Sequence, residues 1–166
     1  MKKLLSILVV SFFSIISLFA ADPCEGYWIS YDDKSGKATA GWHIRVEGDI
    51  LYGSILSLAG MDQDTKAENC KPSYKGFPIE GKVNEMNLIG PTWIFGLKKE
   101  AEGVWSSGHV IDPESGGMYK CKMTFHKADG KKYKKDCLEM RGEIGLGIGR
   151  SQFWLSATKD EAAGLR

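Results

Sequence analysis

Four cysteines, Cys24, Cys70, Cys121 and Cys137, are the first residues with chemistry to offer, and their spacing argues for bridges rather than for a metal. Zinc ligands come as close pairs a few residues apart. No two of these cysteines lie that close, and the three histidines, His43, His109 and His126, are scattered. An even count of cysteines in a chain read below as exported predicts two disulfides, with three connectivities open. Cys121 and Cys137 are equidistant from Asp129, but facing them directly would set Met123 against Lys135. It would also turn Cys137 away from the face of Leu138 and Met140, so the pairing stays open.

The remaining reactive groups read as structure. Asp112 and Glu114 flank Pro113 and precede Gly116, and acidic residues are common in such turns, so a catalytic carboxylate pair is not expected. His109 follows Ser106 and Ser107 within one strand, where a third group rarely orients a base toward a nucleophile. Gly145, Gly147 and Gly149 miss the dinucleotide-binding spacing and lack its strand-to-helix setting, so they predict a bend in a barrel strand. Arg141 and Arg150 read as strand-end or core-bordering residues. Lys131, Lys132, Lys134 and Lys135 read as a solvated hairpin end. No enzyme activity, cofactor or metal is expected.

The elements that position these groups are strands. Trp42, Ile44 and Val46 alternate with His43, Arg45 and Glu47, the period of a half-buried strand. Gly48 and Asp49 make a two-residue turn, and Ile50 to Leu58 returns. That turn sets Val46 against Leu51, Ile44 against Gly53 and Trp42 against Ile55, so the apolar faces match. Tyr119, Cys121, Met123 and Phe125 share one face of a later strand, with Lys120, Lys122, Thr124 and His126 on the other. Ile79 to Ile89 and Gly103 to Ile111 read as further strands joined by a connection with Gly, Pro and Lys. Ala59 to Pro78 reads as a long loop held by Cys70. With Glu25 to Tyr31 at the start, a strand carrying Leu138 and Met140, and Gln152 to Ser156 at the end, about eight strands predict an all-β antiparallel barrel or sandwich.

The first residues run Met1, Lys2, Lys3, an apolar stretch from Leu4 to Phe19 broken only by serines, then Ala20 and Ala21. That is the order of a secretory signal peptide, too short to span a bilayer, so residues 1–20 are read as a leader and 21–166 as one domain, periplasmic or secreted. Lipid attachment at Cys24 is disfavoured because Pro23 precedes it. Without Lys2 and Lys3 the 22 basic residues fall to 20 against 21 acidic ones, and no field draws nucleic acid or an anionic membrane. Self-association is left open.

Gly26, Tyr27, Trp28 matches the Gly-x-Trp that opens lipocalins, with the tryptophan closing one barrel end. Asp22 and Pro23 precede it. Further on come Trp105, Ser106, Ser107, Gly108, then Asp112 to Gly116 and Tyr119, then Met140, Arg141, Gly142, and Gly149 to Gln152 before Trp154. This ordered set resembles a bacterial envelope family catalogued as domain of unknown function number two thousand one hundred and forty-seven. The resemblance implies a lipocalin-like, up-and-down β-barrel and carries no catalytic residues over. Trp154 is followed by Leu155, Ser156 and Ala157, where the family usually has a hydroxyl residue and Arg. Arg141 or Arg150 would therefore have to cover the opening tryptophan.

The expected partner is a small apolar or amphipathic ligand inside the barrel, lined by Trp42, Ile44, Leu51, Ile55, Tyr119, Met123 and Phe125. Gly53 opposite Ile44 is read as a sign of empty space. The alternative is a filled barrel acting as an interaction module.

Overall fold

Eight strands alternate in direction and close on themselves: β1 (Gly26–Tyr31), β2 (Ala38–Glu47), β3 (Ile50–Leu58), β4 (Thr92–Ala101), β5 (Val104–Asp112), β6 (Gly117–His126), β7 (Cys137–Gly145) and β8 (Ile148–Ala157). The computed structural model describes residues 21–166, so the leader read from residues 1–20 lies outside the described residues. Every neighbouring pair is antiparallel, and Tyr27 to Ile29 of β1 pair with Ala157 to Leu155 of β8, which removes the free sheet edges. The β2–β3 register is the one its apolar faces require, with Val46 opposite Leu51, Ile44 opposite Gly53 and Trp42 opposite Ile55. On β6, Cys121 and Met123 are buried while Lys120 and Lys122 are exposed.

Two sequence expectations change. Ile79 to Ile89 is not a strand but the end of a long connection containing one 3-10 turn, Val83–Glu85. The fourth strand is instead Thr92–Ala101, in the stretch read as a connection. The reason is burial on both faces: Ile94 and Leu97 fill the barrel, while Phe77 of the connection packs on Trp93 and Phe95 at 6.1 and 5.6 Å. Thr92 to Phe95 are therefore all buried, and the alternation that marks a half-buried strand is absent. The long connection is held by contacts rather than by a bridge at Cys70. Asn69 donates to the Glu114 carbonyl and the Tyr74 hydroxyl to the Gly116 carbonyl, both at 2.8 Å.

The space inferred at Gly53 is filled. A methyl group there would come within 2.8 Å of Ile44 Cδ1 and 3.1 Å of Ile94. A short helix, α1 (Lys159–Ala163), begins with a capping box between Thr158 and Glu161. It lies against Gly41 so closely that a methyl group there would collide with the Ala162 carbonyl, which also accepts a 2.6 Å bond from Ser57 Oγ.

The end of the barrel where β1 begins is plugged. The turn Asp22 to Glu25 folds under it, with Glu25 N–H donating to the Asp22 carbonyl at 2.8 Å. Trp28 Nε1 donates to the Cys24 carbonyl and Trp105 Nε1 to Asp22 Oδ1, both at 3.0 Å. Asp22 also accepts from Cys24 N–H at 3.0 Å and meets Lys99 Nζ at 2.9 Å. Neither Arg141 nor Arg150 covers Trp28; its indole packs edge-on to Phe125 at 6.2 Å.

Burial alone would raise the Asp22 pKa, but the Trp105, Lys99 and backbone donors outweigh it and hold the carboxyl below its ordinary 3.8. The folded state thus binds this proton less readily than the unfolded chain. The stabilisation is fully present above about pH 4 and is lost as pH falls through the depressed folded value. Asp22→Ala should cost about 2–4 kcal/mol in urea unfolding at neutral pH, because it strands a buried indole N–H and a backbone N–H. A loss below about 1 kcal/mol would show that the plug is dispensable.

Candidate functional site

The opposite end of the barrel is open. There the walls of β2, β5, β6, β7 and β8 enclose a cavity of about 490 Å³. Its apolar lining is Trp42, Val110, Ile111, Tyr119 and Met140, with Gln152 on the wall and Asp112, Glu114 and Arg150 at the rim. Trp42 stacks on Trp154 at 4.6 Å with 18° between the rings, a rigid aromatic wall set by β2 and β8. Trp42 Nε1 donates to Ser30 Oγ at 3.1 Å, and Trp154 Nε1 to Gln152 Oε1 at 3.3 Å, which orients the Gln152 amide. Gly142 keeps the space open: a methyl group there would touch Tyr119 and Val110 only at ordinary contact, 3.6 and 3.8 Å.

Two of the rim charges, Arg150 and Asp112, are already engaged. Arg150 grips Asp33 through Nε at 3.0 Å and Nη2 at 2.6 Å, tying β8 to the β1–β2 loop. Asp112 accepts from Glu114 N–H at 3.0 Å and Ser115 Oγ at 2.7 Å, so the acidic pair of the sequence organises a turn. A broader groove of about 730 Å³ lies at the plugged end, but it is a more open surface flanked by Glu25, Glu102, Lys127 and Asp136. The more enclosed, aromatic mouth is the better place for a small molecule.

Of the seven lining residues predicted, Trp42 and Tyr119 line this mouth. Phe125 lies at the plugged end, on the other groove. Ile44, Leu51, Ile55 and Met123 are buried in the core between the two ends. Val110, Ile111, Met140, Ile144, Ile148 and Gln152 also line the mouth and were not in the predicted set. The β7 and β8 segments are broken by glycines, and their apolar period is short.

Other reactive groups stay apart. Ser106 Oγ donates to Glu100 rather than to His109, whose ring stacks on Phe95 at 5.9 Å. On the outer wall His126 and Ser151 both bond Glu139, at 2.9 and 2.6 Å, with the carboxylate in the middle. A nucleophile needs the histidine there. Among the described residues no group of three or more His, Cys, Asp or Glu could hold a metal.

The disulfide expectation is overturned: all four cysteines are free and buried. Register explains the pair that sequence symmetry suggested. Cys121 stands opposite Gly142 and Cys137 opposite His126, five ladder positions apart, about 16 Å at strand rise against the roughly 7 Å limit for a bridge. Burial raises the pKa of every one of the four thiols, most strongly at Cys24 and Cys121, so none is a ready nucleophile. Unfolding without reductant should therefore expose all four to alkylation, while the folded protein labels slowly. A mass showing only two labels after unfolding would contradict the free-thiol arrangement.

A closed, eight-stranded antiparallel barrel plugged at one end and open at the other is lipocalin-like. Protein HP1028 from the human pathogen Helicobacter pylori, described as belonging to the lipocalin family, superposes with a TM-score of 0.63. It is 13% identical, over 82% of this chain and 84% of that one. The chain belongs to the family described as uncharacterized protein conserved in bacteria (DUF2147), which matches residues 26–156. No curated protein matches the chain.

Proposed function

We propose that this is an exported envelope protein that binds a small apolar or amphipathic molecule in the mouth of its barrel, as a carrier rather than an enzyme. The observation that carries the reading is the 490 Å³ mouth, lined by Trp42, which is backed by the stacked Trp154, with Tyr119 and Met140. Ligand pockets are mainly apolar with a few placed polar groups, and this one falls within their usual size. The lipocalin-like architecture and the uncharacterised family are compatible with it. Export is argued from the order of charge, apolar stretch and small residues in 1–20, and from the plug beginning at Asp22, just after the expected cleavage site.

A second reading, an interaction module without ligand, is favoured by one feature. The barrel below the mouth is filled, with Ile44, Leu51, Ile94, Leu97, Trp105 and Met123 almost wholly inaccessible. The ligand of the first reading therefore sits in a shallow cup.

A thermal-shift screen of fatty acids, isoprenoids and haem-like molecules, followed by tryptophan fluorescence titration, separates the two. A bound compound at a hundredfold excess over its Kd should stabilise the fold by about 2.7 kcal/mol. Gly142→Leu, whose added side chain enters the cup without an initial clash, should fold and lose that shift. Phe125→Leu at the plugged end should keep it. If wild type shows no shift with any compound, and protein from its own envelope carries no bound molecule, the interaction module is the better account.

A further inference from the structure

We propose that the β7–β8 hairpin docks on a lipid surface and delivers the mouth of the barrel to the lipids from which its ligand is drawn. This deepens the reading of the mouth as a ligand site and rests on it. The hairpin tip runs Ile144, Gly145, Leu146, Gly147, Ile148, so every residue on it is either aliphatic or without a side chain. The three aliphatic chains are the most exposed large apolar groups among the described residues, at 73%, 102% and 62%. Single exposed aliphatics are ordinary, but three on one projecting tip are not.

The backbone makes the arrangement more telling. Leu146 has φ of +51° and Gly147 of +74°, a two-residue hairpin turn with both residues in the left-handed region. Asn, Asp or Gly ordinarily takes the first place of such a turn, because other residues are strained there. A leucine in that place is strained and fully exposed, and it contributes nothing to the core. The β2–β3 hairpin at the other end turns on Gly48 and Asp49, with no apolar chain at its tip.

Charge and continuity indicate what covers the tip. The hairpin's own charged residues are paired: Arg141 bonds Glu143 at 2.7 Å and the Gly147 carbonyl at 2.9 Å, and Arg150 bonds Asp33 at 2.6 Å. A hairpin with its own charges paired beneath an apolar, convex tip suits a zwitterionic lipid interface, which deforms around inserted side chains. An anionic surface would call for unpaired basic groups on the hairpin, and its two arginines are both committed. Ile144 and Ile148 also line the mouth cavity beside Gly149 and Gly142. The apolar surface is thus continuous from the tip into the cup, and a lipid-soluble molecule passes along it without crossing water.

The test is co-sedimentation of the folded protein with phosphatidylcholine vesicles at low and high salt, comparing wild type with Leu146→Asn. Asparagine suits the left-handed position, so the variant should melt at the same temperature or higher while vesicle binding falls at least about tenfold. Wild-type binding should be insensitive to salt and to added anionic lipid. Equal binding by the two proteins, binding that needs anionic lipid, or a wild-type dimer dissolved by Leu146→Asn would overturn the assignment. Titration with a soluble fluorescent fatty acid keeps the two readings apart. Leu146→Asn should retain that binding, and vesicle binding without any fatty-acid binding would sink the mouth reading while leaving the docking tip in place.

Discussion

Tryptophans inside a barrel create an obligation: each indole N–H must find an acceptor where water does not reach. At the plugged end the acceptors for Trp28 and Trp105 come from one turn, the Cys24 carbonyl and the Asp22 carboxylate. Asp22 then requires its own donors, and Lys99 reaches it from β4, drawing β4 and β5 onto the segment that precedes β1. Glu25 completes the connection by accepting from Val46 N–H of β2 at 3.0 Å. One acidic residue outside the sheet thereby fixes which end of the barrel is floor and which is mouth.

The cross-section of the floor is set by a line of irregular positions. The β3–β4, β4–β5 and β5–β6 registers all shift, and Gly96 and Ser107 sit near them with φ of +73° and +63°. Such bulges bend strands and tighten a sheet into a barrel. Gly108 shows how tight the closure is: a methyl group there would lie 2.5 Å from both the Leu97 nitrogen and the Phe95 carbonyl oxygen. The Trp105 to Gly108 segment is thus a corner of the fold, and the serines in it answer to backbone geometry rather than to catalysis.

What the sequence reveals depends on whether a residue's role is local. The β2–β3 hairpin and the interior face of β6 are legible because alternation and a two-residue turn are encoded within a few positions. Strand β4 is hidden because its outer face is covered by a connection contributed from more than ten residues away, so Trp93 and Phe95 look like an unbroken apolar run. The disulfides were inferred from compartment and count, and no local pattern carries the register that separates Cys121 from Cys137. The candidate site was legible as a face but not as a depth. Trp42 and Phe125 both point into the barrel, yet only the long-range packing on Trp28, itself bonded to the Cys24 carbonyl, places Phe125 beside the floor.

A barrel filled to part of its height constrains the kind of molecule it can hold. The core below the mouth is closed by Ile44, Leu51, Ile94 and Leu97, so a long chain cannot thread down the barrel and leaves one end at the rim. Trp42, Tyr119 and Met140 favour an apolar body below. At the rim, Arg150 is committed to Asp33 and Asp112 to its own turn, so neither offers a free charge to a head group. The polar groups left to meet it are the Gln152 amide and Glu114. Discrimination by such a site rests on hydrogen bonding and shape rather than on a paired charge.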